Sequence, residues 1–316
     1  MIKNCEEDMQ KLDLQKRAEA LITLCRRALD AGERIVITGH DSPDADSIIS
    51  SVMMRKFLEK FNISAKISYG TRPDGVTERD MAALLLLDEI SFEGFDADDL
   101  ILLVDHHKSF YENRTLACVD HHTTLPEPEG EVTVVLSASS CGRVIFDMAD
   151  ALGVADGELE RLAIYSVYLD TQSCRSPKFK KADEEWLERG IEKYKIDRGE
   201  IERIGFCLND SAEDAESLSL YGLKKYSFGA RPSFSSCIQI DTADKAWGER
   251  IPEIIESLKM RLLNEGGCVW AFVLNMPIEK RSDIYFIESN GAIQKVELDR
   301  LASRSRDVIP IVSLAQ

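Results

Sequence analysis

Long apolar runs are missing from this sequence. None approaches the ~20 residues that a helix needs to cross a bilayer, and Met1 to Gln10 carries early acids instead of a signal peptide's hydrophobic core. Positive charge is also scarce: 39 Lys and Arg against 56 Asp and Glu leave a net charge of -17. A sequence-independent grip on duplex nucleic acid needs a broad basic face, so the arithmetic argues against that partner. No C-x-x-C pair, internal repeat or low-complexity stretch occurs. The eight cysteines are scattered and read as reduced, mostly buried small apolar residues, with no zinc site among them. These absences predict a soluble protein of the cytoplasm, with neither a membrane nor duplex nucleic acid as partner.

What is present suits a packed core. Hydrophobic residues make up 44% and charged residues 30% of 316 positions, room for about two domains. Apolar residues at helical spacing predict a helix over 14–31, with Gly32 at its C-terminal cap. A short strand over 34–38, a polar loop over 39–47 and a helix over 48–61 then open an α/β unit. Further apolar runs at 64–68, 100–104, 116–119 and 132–136 read as buried strands of a largely parallel sheet. Helical patterns cover 78–87, 141–152, 159–169 and 183–194, and the acidic stretch 209–214 reads as a linker. Beyond it, strands at 236–240, 269–274 and 284–288 with a helix over 251–263 predict a second, smaller α+β domain. The fold class is therefore α/β, with domains at 1–208 and 215–316.

The histidines carry the chemistry. All five (His40, His106, His107, His121 and His122) fall within an 83-residue window, each just after an apolar run and within four residues of an aspartate. The groups are Gly39-His40-Asp41-Ser42-Pro43-Asp44-Ala45-Asp46, Val104-Asp105-His106-His107 and Val119-Asp120-His121-His122, with Leu169-Asp170-Thr171 as a fourth end. Side chains at the carboxyl ends of adjacent parallel strands meet in one crevice. Facing aspartates and imidazoles would repel and desolvate badly there unless cations sat among them. A mixture of oxygen and imidazole without thiolate leans toward manganese, with cobalt or magnesium as alternatives. Asp120 could instead support a neighbouring imidazole. Taken singly, each His-Asp group also fits a structural hydrogen bond, and Lys178, Lys180 and Lys181 read as a solvated loop more readily than as a funnel for phosphate.

Together, His-Asp-Ser-Pro-Asp-Ala-Asp-Ser, two Val-Asp-His-His runs and Leu-Asp-Thr resemble, in order and position, the four motifs of the DHH phosphoesterase superfamily. The continuation Asp-Ser-Ile-Ile-Ser-Ser, the run Asp-Thr-Gln-Ser-Cys-Arg-Ser-Pro, Gly222-Leu223-Lys224-Lys225-Tyr226 and the tail Ser303-Arg304-Ser305-Arg306-Asp307-Val308-Ile309-Pro310 are similar to one branch. That branch holds the manganese-dependent (family II) inorganic pyrophosphatases and exopolyphosphatases. The oligonucleotide-degrading branch carries a glycine-rich, histidine-containing C-terminal motif, and no histidine follows residue 122 here. Differences from the pyrophosphatase pattern include His107 and Lys108 after the second Asp-His, Ser305 in place of a lysine, and only 14 residues between Asp105 and Asp120.

The resemblance implies a DHH catalytic domain followed by a DHHA2-like domain. It implies that His40, Asp44 and Asp105 hold one divalent ion, and that Asp46, Asp105, His121 and Asp170 hold a second, with Asp105 bridging. His122 would contact a phosphoryl oxygen or protonate the leaving group, and Lys224, Arg304 and Arg306 would bind substrate phosphates. The expected activity is hydrolysis of pyrophosphate or short polyphosphate by a water activated between two metals. The alternatives are a phosphodiesterase for short oligonucleotides or cyclic dinucleotides, and a weakly active metal-binding regulatory relative. The expected partner is a small phosphate-containing substrate, and a homodimer is compatible with the sequence.

Overall fold

The computed structural model describes residues 2–41, 43–73, 81, 84, 86–106, 114–123, 128–206, 214–226, 230–240, 245–277 and 279–314. The chain forms two compact units. The first comprises Met1–Pro73, Thr77–Thr171 and Lys178–Asp197; the second is built on Gln172–Pro177 and Arg198–Gln316.

In the first unit, five strands, β1 (Ile35–Thr38), β2 (Lys66–Ile67), β3 (Leu100–Val104), β4 (Thr115–Asp120) and β5 (Val132–Val135), form a sheet in the order β2-β1-β3-β4-β5. Every pairing is parallel. Such a sheet is covered on both faces, which is why β1 and β3 are buried throughout and, apart from Thr38, apolar rather than alternating. The chain leaves β1 toward β2 on one side and later returns to add β3 on the other. The strand order thus reverses between β1 and β3, and open α/β sheets gather their ligands outside the strand tips at such a point.

Helices form the covering layers. Helix α1 (Ile2–Asp30) packs on β5 and buries Leu14, Ala18, Leu21, Cys25 and Ala28. Helix α2 (Ala45–Glu59) is capped by Asp44, whose carboxylate accepts the Ser47 N–H at 3.2 Å, and buries Ile48, Ile49, Val52, Met53, Phe57 and Leu58. Each such side chain contributes about 1.5–3 kcal/mol by leaving water. Helix α2 packs against α3 (Cys141–Ala151), capped by Ser140, and α4 (Gly157–Asp170), capped by Asp156. Helix α5 (Glu184–Tyr194) follows in the same unit.

The second unit starts with α6 (Arg198–Phe206) and α7 (Ala215–Ser219). Its sheet, in the order β10-β9-β8-β7-β6, contains β6 (Lys224–Tyr226), β7 (Ser233–Gln239), β8 (Val269–Met276), β9 (Arg281–Glu288) and β10 (Ile293–Leu298). Only β7 and β8 are parallel, joined through α8 (Lys245–Asn264). Both faces are packed. Trp270, Phe272 and Leu274 share one core with Ile254, Leu258 and Leu262 of α8. The intervening Val269, Ala271 and Val273 meet Ala302, Val308 and Val312 on the other face.

The α/β architecture with a second sheet-containing domain is the one expected, and several boundaries differ. Helix α1 starts at Ile2 rather than near residue 14. The sequence there is mostly polar, and Met9 and Leu12 stay 66% and 50% exposed, which leaves periodicity little to detect. The edge strand β10 is mostly exposed and equally silent. Residues 304–308 form a helical turn. Of the described cysteines, Cys25, Cys118 and Cys141 are buried, whereas Cys174, Cys237 and Cys268 are partly exposed, a correction to the mostly buried reading. The linker over 209–213 and most of the helix expected over 78–87 lie outside the described residues. Among the described residues, no helix is long and apolar enough to cross a membrane.

Gly39 makes the β1–α2 connection possible. A Cβ there would lie 1.8 Å from Ser47 Oγ and 3.1 Å from both Ser47 Cβ and the Val104 carbonyl oxygen, and Ser47 is fully buried. Gly39→Ala should therefore destabilise the first unit by about 1–3 kcal/mol, the usual cost of overpacking. A urea titration followed by circular dichroism measures this; an unchanged midpoint would show that the tip of β1 has room to spare.

Candidate metal centre

The tips of β1, β3 and β4 each deliver one group to the crevice. His40 follows β1, Asp105 follows β3, and Asp120 ends β4 with His121 and His122 directly after it. Asp44 and Asp46 arrive at the start of α2, and Asp170 closes α4. His40 Nε2 lies 3.4 Å from Asp44 Oδ2 and 3.6 Å from Asp105 Oδ2. His121 Nε2 lies 3.3 Å from Asp105 Oδ1 and 3.7 Å from both Asp46 Oδ2 and Asp170 Oδ2. Three overlapping ligand groups thus emerge, His40-Asp44-Asp105, Asp46-His121-Asp170 and Asp105-Asp120-His121-His122, and Asp105 turns one carboxylate oxygen toward His40 and the other toward His121.

Backbone and hydroxyl donors hold this geometry. Asp105 adopts a φ of 52°, a left-handed conformation that a non-glycine residue takes only when its surroundings enforce it. Its N–H donates to the Val119 carbonyl (3.0 Å) and to Cys141 Sγ (3.2 Å), and the Cys141 thiol donates to the same carbonyl. Asp46 is 1% exposed and lies at the N-terminus of α3, where Cys141 N–H donates to Oδ2 at 2.8 Å and Gly142 N–H to Oδ1 at 3.3 Å. Ser166 and Ser50 add hydroxyl donors to Oδ1 at 2.6 and 3.1 Å. A helix N-terminus with convergent donors is suited to a fixed anion.

The two imidazoles are tethered alike. His40 Nδ1 lies 2.9 Å from the Asp41 carbonyl oxygen and His121 Nδ1 lies 3.3 Å from that of Ala138. A carbonyl takes only a donated proton, so Nδ1 carries the hydrogen and Nε2 presents its lone pair to the aspartates. In the neutral ring that lone pair faces carboxylate. His40 Nε2, His121 Nε2, Asp105 Oδ1 and Asp170 Oδ2 are buried and make no hydrogen bond to the described residues. Orphaned acceptors converging on one point fit a divalent cation, which needs only lone pairs.

The electrostatics agree. Burial, reinforced by Asp170, raises the Asp46 carboxyl above its ordinary range, and burial with Asp46 raises Asp105 well above it. Burial alone would lower His121, but Asp105, Asp170 and Asp46 outweigh it and push it up to about 10. A proton thus takes the position that a metal ion would fill. His122 behaves differently: burial pushes it down to about 4 against the pull of Asp120. Asp120 Oδ1 accepts from His122 Nδ1 at 2.8 Å and from the N–H groups of His121 and His122 at 2.6 and 3.2 Å. Asp120 thereby fixes the ring of His122.

Lys178 is also drawn in: its ammonium lies 2.5 Å from Asp170 Oδ1. His106 has its ring edge-on to His40 at 6.4 Å, and His107 lies outside the described residues. Lys224, Arg304 and Arg306 belong to the second unit. There Arg304 Nη1 donates to the Gly222 carbonyl at 2.5 Å, two residues before Lys224, while Arg306 is 52% exposed. Sequence reasoning missed Ser50, Ser166 and Cys141. The spacing of Ser50 four residues after Asp46 places that pair on one helix face and was a usable signal, whereas Ser166 reaches Asp46 from another helix. The thiol had none.

Residues 34–170 match the family model described as the DHH family, N-terminal domain. A manganese-dependent inorganic pyrophosphatase of Methanocaldococcus jannaschii is 22% identical over 314 residues, covering 87% of this chain and 96% of that protein. Among solved structures, a putative family II inorganic pyrophosphatase from Methanococcus jannaschii has a TM-score of 0.73 at 20% identity, over 89% of this chain and 99% of the other. That similarity establishes the fold. An exopolyphosphatase-related protein from Bacteroides fragilis gives a TM-score of 0.48 at 17% identity, over 87% of this chain and 83% of the other.

If the crevice takes a divalent cation, adding Mn2+ to chelator-stripped protein should raise its thermal midpoint. At a hundredfold excess over Kd the gain is about 2.7 kcal/mol, or ~5–10 °C for a unit of this size. Asp105→Asn should abolish the rise. A wild-type midpoint indifferent to Mn2+, Co2+ and Mg2+ would remove the metal centre.

Proposed function

From the premise that residues 34–170 carry a DHH-family N-terminal domain, we propose that the chain is a metal-dependent phosphohydrolase that cleaves the phosphoanhydride bond of pyrophosphate or short polyphosphate in the cytoplasm. The observation that carries this reading is Asp105, whose two oxygens address two separate ligand groups. His40, Asp44 and Asp105 would hold one divalent ion and Asp46, Asp105, His121 and Asp170 the other, with manganese the metal that suits this donor set. When bound, the pair supplies an acidified water and the positive charge that in-line attack on phosphorus requires.

The chain's own residues do the rest. Asp105 fixes the spacing of the two groups, and its left-handed backbone keeps both oxygens turned inward. His122, neutral and with its Nδ1 hydrogen held by Asp120, keeps the Nε2 lone pair as the ring site that takes up a proton and, once protonated, returns it to a phosphoryl oxygen. Lys224 and Arg304 bind the outer phosphate oxygens, with Arg306 as a further cation; an arginine fork binds phosphate at two points. Their mounting supports that role, since Arg304 is bonded to the backbone of the turn that leads into Lys224.

A substrate panel with Mn2+ tests the reading: pyrophosphate, tripolyphosphate, a linear dinucleotide and a cyclic dinucleotide. A phosphoanhydride should be cleaved fastest, and faster turnover of either dinucleotide would transfer the protein to the phosphodiesterases. His122→Gln should lower kcat by roughly 100-fold or more, and Lys224→Ala should lower kcat/KM by roughly 10- to 100-fold. Both variants should keep the wild-type metal content. Loss of metal in either would reassign that residue.

A further inference from the structure

Lys178 was read from sequence as one of three loop lysines, more readily solvated than part of a funnel for phosphate, and the structure sets it against Asp170. Its Nζ lies 2.5 Å from Asp170 Oδ1, while the other oxygen of the same carboxylate, Oδ2, faces His121. The two oxygens of Asp170 therefore have separate duties, one toward the proposed metal and one toward a fixed cation. The Lys178 side chain remains 35% exposed, so it stands at the rim of the crevice rather than beneath it.

The charge balance gives this position a use. Asp44, Asp46, Asp105 and Asp170 carry four negative charges, which two divalent ions would only neutralise. A polyanionic phosphate needs positive charge beyond that, and a chain with a net charge of -17 offers it only locally. An ammonium has three donors that rotate freely, so one can rest on Asp170 while others meet a phosphate oxygen.

We infer that Lys178 is a phosphate-contacting residue supplied by the first unit itself, held at the rim of the metal crevice by Asp170 Oδ1. The inference rests on the phosphohydrolase reading and adds a substrate contact that belongs to neither the metal ligands nor the second unit. Inorganic phosphate, the product of the proposed reaction, serves as the probe.

The experiment compares wild type, Lys178→Gln and Lys178→Arg as full-length proteins, by calorimetric titration first with Mn2+ and then of the Mn2+-loaded protein with inorganic phosphate. Lys178→Gln should bind Mn2+ within about threefold of wild type and bind phosphate at least roughly tenfold more weakly. Lys178→Arg should restore most of the phosphate affinity. With pyrophosphate as substrate, the glutamine variant should show a raised KM larger than its loss in kcat.

Unchanged phosphate affinity in Lys178→Gln overturns the inference and leaves the phosphohydrolase reading intact. So does a parallel fall in Mn2+ affinity, which would make Lys178 only an orienting partner of Asp170. Tighter Mn2+ binding with unchanged phosphate affinity would mark it as a mere counterion. A wild-type protein that binds no Mn2+ removes both readings at once.

Discussion

Repulsion among buried carboxylates is the constraint around which the first unit is organised. Asp46 and Asp105 are 1% and 3% exposed, and ligand atoms of Asp46, His121 and Asp170 lie within 4.8 Å of one another. Two carboxylates 4 Å apart repel by about 4 kcal/mol at the effective dielectric of a protein site. Without positive charge the cluster relieves this by holding protons: both carboxyls are raised, and His121 is pushed up to about 10. The crevice is therefore built for charge that its own side chains do not fully provide. Lys178 on Asp170 is a partial answer from within the chain.

Rigid backbone keeps the like charges from moving apart. Asp105 has a left-handed φ, and its N–H is secured by both the Val119 carbonyl and the Cys141 sulfur. Asp46 is held by two N–H groups of the first turn of α3 and by the hydroxyls of Ser50 and Ser166. At Gly39 the absence of a Cβ lets α2 begin beside the tip of β1, so that Asp44 and Asp46 face His40 and His121. These features lower stability or exact tight packing locally, and the two-sided core of the parallel sheet offsets them.

The second unit has its own core on both faces of a mixed sheet, with Trp270 and Phe272 on one side and Val269, Ala271 and Val273 on the other. One of its cations sits on a firm support. Arg304 is anchored to the Gly222 carbonyl, and the turn that carries it is closed by Asp307, which accepts from Arg300 and from the Ser303 N–H. A side chain mounted this way loses less freedom on meeting an anion than it would on a mobile loop.

Much of this was legible along the chain. Apolar runs ending in His-Asp groups gave the strands, their direction and the meeting of His40, Asp105, His121 and Asp170, because adjacent parallel strands must bring their carboxyl ends together. Polar elements were not legible: Met9 and Leu12 of α1 and the edge strand β10 are too exposed to leave a period. Nor could the sequence tell Lys178 from its neighbours Lys180 and Lys181, since a lysine on a loop has the same composition whether it meets water or a carboxylate. Residue types and order thus determined which side chains could gather around a cation. The tertiary structure alone decided how each was aimed, with Asp105 facing both groups, Asp120 given over to His122 and Cys141 placed beneath, because those contacts join segments far apart in sequence and depend on backbone angles that no local pattern records.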